Sequence, residues 1–112
     1  MNVVTGIAMI FAGLAVIWTA RKAAAGKLER NWAIGLRTKR LMASEEAWET
    51  GHRAAAPMLV GAGAMSVVAG VVVIPQPDDG VVGAAVTLAG AGLLLVMVLL
   101  SLRQANRAVE GL

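Results

Sequence analysis

The 112-residue sequence contains no cysteine and a single histidine, and only 15% of its residues are charged. Without cysteine the chain has neither disulfides nor thiolate metal sites. One histidine, His52, is too few for a zinc site built from histidine and cysteine ligands. A soluble domain of this size carries about 25% charged residues, so the low charge content argues against a soluble protein.

Three long stretches lack Asp, Glu, Lys, Arg and His, namely Val3–Ala20, Ala54–Ile74 and Val81–Leu102. Each is close to the roughly 20 residues that a helix needs to cross about 30 Å of hydrocarbon. Backbone groups in lipid must bond internally, which predicts helices. We therefore expect an all-α fold: one integral membrane domain over residues 1–112, a three-helix bundle with short interfacial helices in its central loop. The first stretch is too long for a signal peptide, so we expect it to be retained.

The distribution of charge predicts the topology. Eight of the ten basic residues lie between Arg21 and Arg53, and the other two, Arg103 and Arg107, follow the third stretch. The turn after the second stretch carries Asp78 and Asp79 instead. The positive-inside rule then puts the N-terminus outside and the central segment and C-terminus in the cytoplasm of a bacterial plasma membrane. The basic residues are explained by this rule, so no nucleic-acid partner is expected.

Two helices are expected within the central segment. Leu28, Trp32 and Leu36 recur at four-residue spacing, which predicts a short helix lying in the headgroup region and weakened by Gly35. Ser44 is a good N-cap residue for a second helix, with two glutamates in its first turn. This second helix is expected to continue into the second apolar stretch.

Small residues recur at four-residue spacing in two of the apolar stretches. Such stripes let membrane helices approach closely, either within one protomer, which we favour, or between copies in a homo-oligomer. The residues are Ala62, Ser66 and Gly70 in the second stretch and Gly83, Thr87 and Ala91 in the third.

The segment NWAIGLRTKRLMASEEAWETGHR contains an Asn, Gly and Arg-Thr in the pattern N-x-x-x-G-x-R-T, then Trp48 and His52. This order resembles the signature of the SdpI family of bacterial membrane proteins over about residues 27 to 70. The resemblance implies a non-enzymatic immunity or signalling protein. The family's founder protects its cell from a secreted toxic peptide and holds a transcriptional repressor at the membrane. The founder is longer and has additional spans, whereas three spans are expected for this chain.

The motif residues also have a physical interpretation as a binding site for a partner or an anion. Gly35 permits a turn, Arg37 can bind a lipid phosphate or a carboxylate, and Asn31 and Thr38 can lock the turn by hydrogen bonds. Neighbouring lysine and arginine attract anionic headgroups. The bilayer, a toxin peptide, a regulator or a membrane complex are the partners considered.

Trp48 and His52 complete the candidate set, with a structural alternative for each. Trp48 is expected to anchor its helix at the membrane interface rather than to stack on a ligand. His52 is expected to be a hydrogen-bonded structural residue rather than a pH sensor or a metal ligand. The basic cluster is itself explained by topology.

No catalytic set is recognised, and no enzyme activity or cofactor is expected. A small multidrug transporter would have four spans and an ionisable group in the membrane. Two alternatives to the immunity or signalling role stay open. One is a small accessory subunit of a larger membrane complex, and the other is a lipid-handling protein that depends on Arg37.

Overall fold

The computed structural model describes residues 1–29, 31 and 34–112. This part of the chain forms four helices in the order α1 (Asn2–Ala24), α2 (Lys39–Met42), α3 (Glu45–Val73) and α4 (Val81–Ala108). Three of them, α1, α3 and α4, are long and apolar enough to cross a membrane. Helix α3 is central, and α1 and α4 both pack against it in a bundle 51 Å long. The predicted all-α membrane bundle is confirmed.

The contact between α1 and α3 is made by glycines seven residues apart on each helix. Gly6 of α1 faces Gly70 of α3, and Gly13 faces Gly63. A Cβ atom added to Gly70 would lie 2.5 Å from the carbonyl oxygen of Gly6, and one added to Gly63 would lie 2.5 Å from that of Gly13. Any side chain at these positions would push the helices apart. Because the hydrophobic effect does not drive helices together in lipid, close packing of the two backbones stabilises this pair instead.

The small-residue stripe predicted for the second apolar stretch lies in this contact. Ala62, Ser66 and Gly70 are all buried. The Ser66 hydroxyl donates a hydrogen bond of 2.8 Å to the carbonyl oxygen of Met9 on α1. The α3 stripe therefore acts within one protomer, as favoured from the sequence.

The corresponding stripe of α4 is not a continuous helix contact. Gly83 is buried, and a Cβ atom there would lie 2.6 Å from the side-chain amide of Asn2. Thr87 donates a hydrogen bond of 2.8 Å to the carbonyl oxygen of Gly83 in its own helix. Ala91 is exposed. The spacing of small residues in α4 thus indicates a helix contact only at its first turn.

Helix α3 is longer than the membrane is thick. Its 29 residues span about 44 Å, against about 30 Å of hydrocarbon. It begins at the predicted cap, because Ser44 Oγ accepts a hydrogen bond of 3.0 Å from the Ala47 amide. Residues Glu45–Arg53 precede the apolar stretch and project beyond it. We call this end of the bundle, with residues 21–53 and 101–112, the basic end.

The opposite end, which we call the acidic end, joins the start of α1 to the turn between α3 and α4. The Asp78 carboxylate accepts hydrogen bonds from the Met1 ammonium at 3.1 Å and from the Asn2 amide at 2.9 Å. It therefore caps the N-terminus of α1, where the helix dipole favours an anion. The Asn2 amide and the Met1 ammonium hold the pKa of Asp78 below its usual value.

The helix predicted around Leu28–Leu36 is not formed at the described residues, which adopt turns and irregular structure from Ala25 to Thr38. Trp32, part of that prediction, lies outside the described residues. Gly35 has a φ of +98°, which an α-helix does not contain. The short helix that this segment does form is α2.

Candidate functional site

The loop that contains the motif rests on the first turns of α3 through Gly35. A Cβ atom at this position would lie 2.8 Å from Nε2 of His52 and 2.9 Å from Cη2 of Trp48. The positive φ adds a second reason for glycine, because other residues pay about 1–2 kcal/mol in the left-handed region. The glycine of the motif is thus fixed both by conformation and by contact.

His52 joins the loop to α3 by hydrogen bonds at both ring nitrogens. Nε2 accepts from the Leu36 amide at 2.9 Å, and Nδ1 lies 2.7 Å from the carbonyl oxygen of Trp48. A carbonyl can only accept, so Nδ1 carries the proton and the ring is neutral. Burial lowers the pKa of His52, and the Trp48 carbonyl opposes this shift more weakly. Protonation would place an N–H group against the Leu36 amide.

The sequence predicted that Trp48 anchors its helix in the headgroup layer, but in the structure Trp48 is part of the protein core. Its side chain is only 2% exposed, and its ring centroid lies 4.1 Å from that of His52. Its Nε1 donates a hydrogen bond of 2.9 Å to the carbonyl oxygen of Leu28. Trp48 therefore fixes the first part of the central segment while His52 fixes the second.

Asn31 closes a turn just before the glycine. Its Oδ1 accepts a hydrogen bond of 2.7 Å from the Ile34 amide, and its Nδ2 donates one of 2.8 Å to the carbonyl oxygen of Glu29. Asparagine side chains commonly stabilise turns by hydrogen bonds to nearby backbone groups. The predicted role of Asn31 in locking the loop is consistent with this geometry.

Thr38 connects the same loop to the end of α4. Its hydroxyl donates a hydrogen bond of 2.7 Å to Oδ1 of Asn106 and accepts one of 3.3 Å from the Leu41 amide, which caps α2. Asn106 was not recognised from the sequence, because nothing in the pattern of α4 indicates a partner 68 residues away. The turn is therefore tied to a second helix as well as to α3.

Helix α2 is held by one buried side chain. Leu41 is fully buried and occupies the space that a side chain at Gly51 would fill. Ala105 of α4 and Val109 belong to the same apolar cluster. These contacts close the basic end around a small hydrophobic core.

The end of α1 is fixed to the same region. Gly26 has a φ of +74°, and the Lys27 amide bonds the Lys22 carbonyl at 2.9 Å, as in a Schellman motif. Arg53 of α3 donates a hydrogen bond of 3.2 Å to the Ala24 carbonyl, where the helix dipole favours a cation. Arg53 also pairs with Glu49 at 3.4 Å.

All six residues of the predicted site thus lie at the basic end. Gly35, Trp48 and His52 are in mutual contact, whereas Asn31 and Thr38 form turns on either side. Arg37 lies between the buried Leu36 and the half-buried Thr38, and it is exposed. Its charge adds to that of residues 21–53, which hold eight basic and four acidic side chains, a net charge of +4. That this region binds a partner or an anion stays a prediction.

The motif residues have a structural role in this fold. His52 is 1% exposed and uses both nitrogens within the fold. Within residues 1–29, 31 and 34–112, no three His, Cys, Asp or Glu side chains lie close enough together to hold a metal ion. The motif side chains hold the loop in place, and Arg37 is displayed on it.

Comparison with known proteins gives one family. The model of the SdpI/YfhL protein family matches residues 27–102, about two thirds of the chain. The match includes every motif residue described above and ends within α4. No characterised protein and no solved structure is significantly similar to this chain.

Proposed function

Because the chain belongs to the SdpI/YfhL protein family, we propose that it is a non-enzymatic immunity or signalling protein of a bacterial plasma membrane. Its basic end faces the cytoplasm, in accordance with the positive-inside rule. The motif loop binds a partner or a lipid headgroup, and the protein partners considered are a toxic peptide that enters the membrane and a cytoplasmic regulator.

The observation that carries this proposal is the seating of the motif loop on α3. His52 holds Leu36 through a buried hydrogen bond, and Trp48 holds Leu28 through a partly buried one. A buried polar group is costly unless it is paired, so these bonds define one loop conformation. A loop held in this way presents Arg37 at a fixed place, as a binding surface requires.

Deletion and complementation test the role. Cells that lack the gene should become more sensitive to at least one secreted membrane-active peptide. Wild-type protein should restore resistance, but Gly35→Ala should not, because its new Cβ atom meets the rings of Trp48 and His52. Gly92→Ala is the matched control, since a Cβ atom at Gly92 meets nothing within 4 Å. Unchanged sensitivity to every peptide tried would argue against immunity.

A role as an accessory subunit is the second candidate, and one surface favours it. A shallow depression of about 480 Å³ between α3 and α4 is lined by apolar residues, including Ala64, Ala69 and Ala89. Extraction in mild detergent followed by mass spectrometry would test it. Recovery of the chain alone, or only with copies of itself, would reject a larger complex.

A further inference from the structure

Helices α1 and α4 both pack against α3 and leave a groove between them on one side of the bundle. A depression of about 310 Å³ lies at the basic end, between Ala15 and Thr19 of α1 and Val98 of α4, with Leu59 of α3 as its floor. A second depression of about 430 Å³ follows toward the acidic end, between Ala12 of α1 and Leu94 of α4.

The two depressions follow the same faces of the helices. Ala8, Ala12, Ala15 and Thr19 are spaced by four, three and four residues, which places them on one side of α1. The lining residues of α1 extend from Val4 to Thr19, about 22 Å along the helix. This exceeds half of the roughly 30 Å of hydrocarbon, so the groove can hold an extended chain from one leaflet.

The motif loop covers the basic end of this groove. Ile34, Gly35 and Leu36 line the first depression, together with His52. Both nitrogens of His52 are already engaged within the fold, and apart from Thr19 the other described residues that line this depression are apolar. The walls therefore suit a hydrocarbon chain.

All ten lysine and arginine residues of the sequence belong to the segments that form this end, residues 21–53 and 101–112. Lys22 follows Thr19 by three residues on α1, and its ammonium lies 4.7 Å from the ring centroid of Trp18. Arg37 follows Leu36 directly and is exposed. The acidic end carries Asp78 and Asp79 and no basic side chain in its turn. A ligand with an apolar chain and an anionic head complements this distribution.

We propose that the groove binds one anionic phospholipid from the leaflet at the basic end. Its acyl chain lies between α1 and α4, and its phosphate group is held by Lys22 and Arg37. The acyl chain then packs against Gly35 and Leu36 from within the groove, so the bound lipid helps to support the motif loop. The inference is independent of the immunity or signalling role, because it concerns the purified protein alone.

Competition between two lipids tests the proposal. The full chain, purified in mild detergent, is mixed with equal amounts of phosphatidylglycerol and phosphatidylcholine of the same chain length and examined by native mass spectrometry. We expect one phosphatidylglycerol per chain, preferred over phosphatidylcholine. Arg37→Gln and Lys22→Gln should each reduce this preference by about fivefold, as expected for one basic residue near an anionic surface. Arg103→Gln, a charge change on α4 outside the groove lining, is the matched control.

Groove filling provides a separate test of the acyl-chain site. Ala15→Leu and Thr19→Leu should each reduce retention of both lipids, whereas Ala64→Leu, in the depression between α3 and α4, should not. Circular dichroism verifies that each variant is folded. If one groove variant does not fold, the other still tests the site. Equal retention of the two lipids would overturn the proposal. So would charge or groove variants that behave like their controls, or a bound peptide in place of lipid.

Discussion

The two ends of the bundle are stabilised by different kinds of interaction. At the basic end, Leu41, Trp48 and His52 are almost completely buried, and hydrogen bonds join Trp48 to Leu28 and His52 to Leu36. At the acidic end, the contacts of Asp78 with Met1 and Asn2 are made by exposed groups, and the Asp78 side chain is 63% exposed. The basic end resembles a small soluble core, whereas the acidic end is a helix cap in contact with solvent.

This difference follows from where each contact is made. Between helices in lipid there is no hydrophobic drive, so α1 and α3 associate through the glycine pairs Gly6–Gly70 and Gly13–Gly63. Where α3 projects beyond the apolar stretch, water is again the alternative to burial. A hydrophobic cluster with Leu36 and Leu41 is therefore stabilising there. We expect the rigid and functional part of the molecule to be the basic end.

The largest loss of stability is expected from Gly35→Ala. The substitution combines a left-handed φ with close contacts to two ring atoms, so the loop must move or the rings must shift. We expect a destabilisation of about 3 kcal/mol, measured as a lower Tm in detergent. Gly92→Ala should cost nothing, because alanine is the better helix former and has open space there. Equal Tm values for the two variants would contradict the described seating of the loop.

The positions of the long helices could be predicted from the sequence, because apolar length and absence of charge report directly on membrane crossing. The start of α3 at Ser44 could also be predicted, since the cap and the helix it serves are adjacent in the chain. The glycine contacts between α1 and α3 were missed. They recur at seven residues rather than four, and Gly6 and Gly13 were not recognised as a pair.

His52→Leu is expected to have the next largest effect. Leucine fills the buried position with a side chain of comparable size, but it leaves the Leu36 amide without its acceptor. An unpaired buried amide costs about 1–3 kcal/mol, so we expect a loss of about 2 kcal/mol. Hydrogen exchange at the Leu36 amide should also accelerate. A variant that keeps both the wild-type Tm and slow exchange would show that this bond is not needed.

The sequence indicated which motif residues lie near one another but not how they are arranged, and that they form a binding site stays a prediction. The spacing of Trp48 and His52 places both on one face of α3, and this holds in the structure. Periodicity identifies a face and not the segment that covers it. The pairings of Trp48 with Leu28 and of Thr38 with Asn106 therefore had no sequence signal. For the same reason Trp48 was assigned to the interface instead of the core.

A smaller effect is expected from pH, and its sign follows from His52. Burial lowers the pKa of the folded histidine below the ordinary value of 6.5, so the unfolded chain takes up a proton more readily. The stability that depends on neutral His52 is complete above about pH 6.5 and is lost as the pH falls below it. Wild-type protein should therefore have a lower Tm at pH 5.5 than at pH 7.5. His52→Leu should lack this dependence, and an equal decrease in both proteins would assign it to other groups.

The smallest effect is expected at the acidic end. Asp78→Asn removes the negative charge near the Met1 ammonium but leaves an amide oxygen that can still accept from the Asn2 amide. Exposed ion pairs contribute little, so Tm should fall less than in Gly35→Ala or His52→Leu. What remains of the difference should vanish in 1 M salt, where charges are screened beyond about 3 Å. The loss caused by His52→Leu should persist in the same salt, because a buried bond between neutral groups is not screened. An Asp78→Asn effect as large and as salt-independent as that of His52→Leu would mean that both ends are built alike.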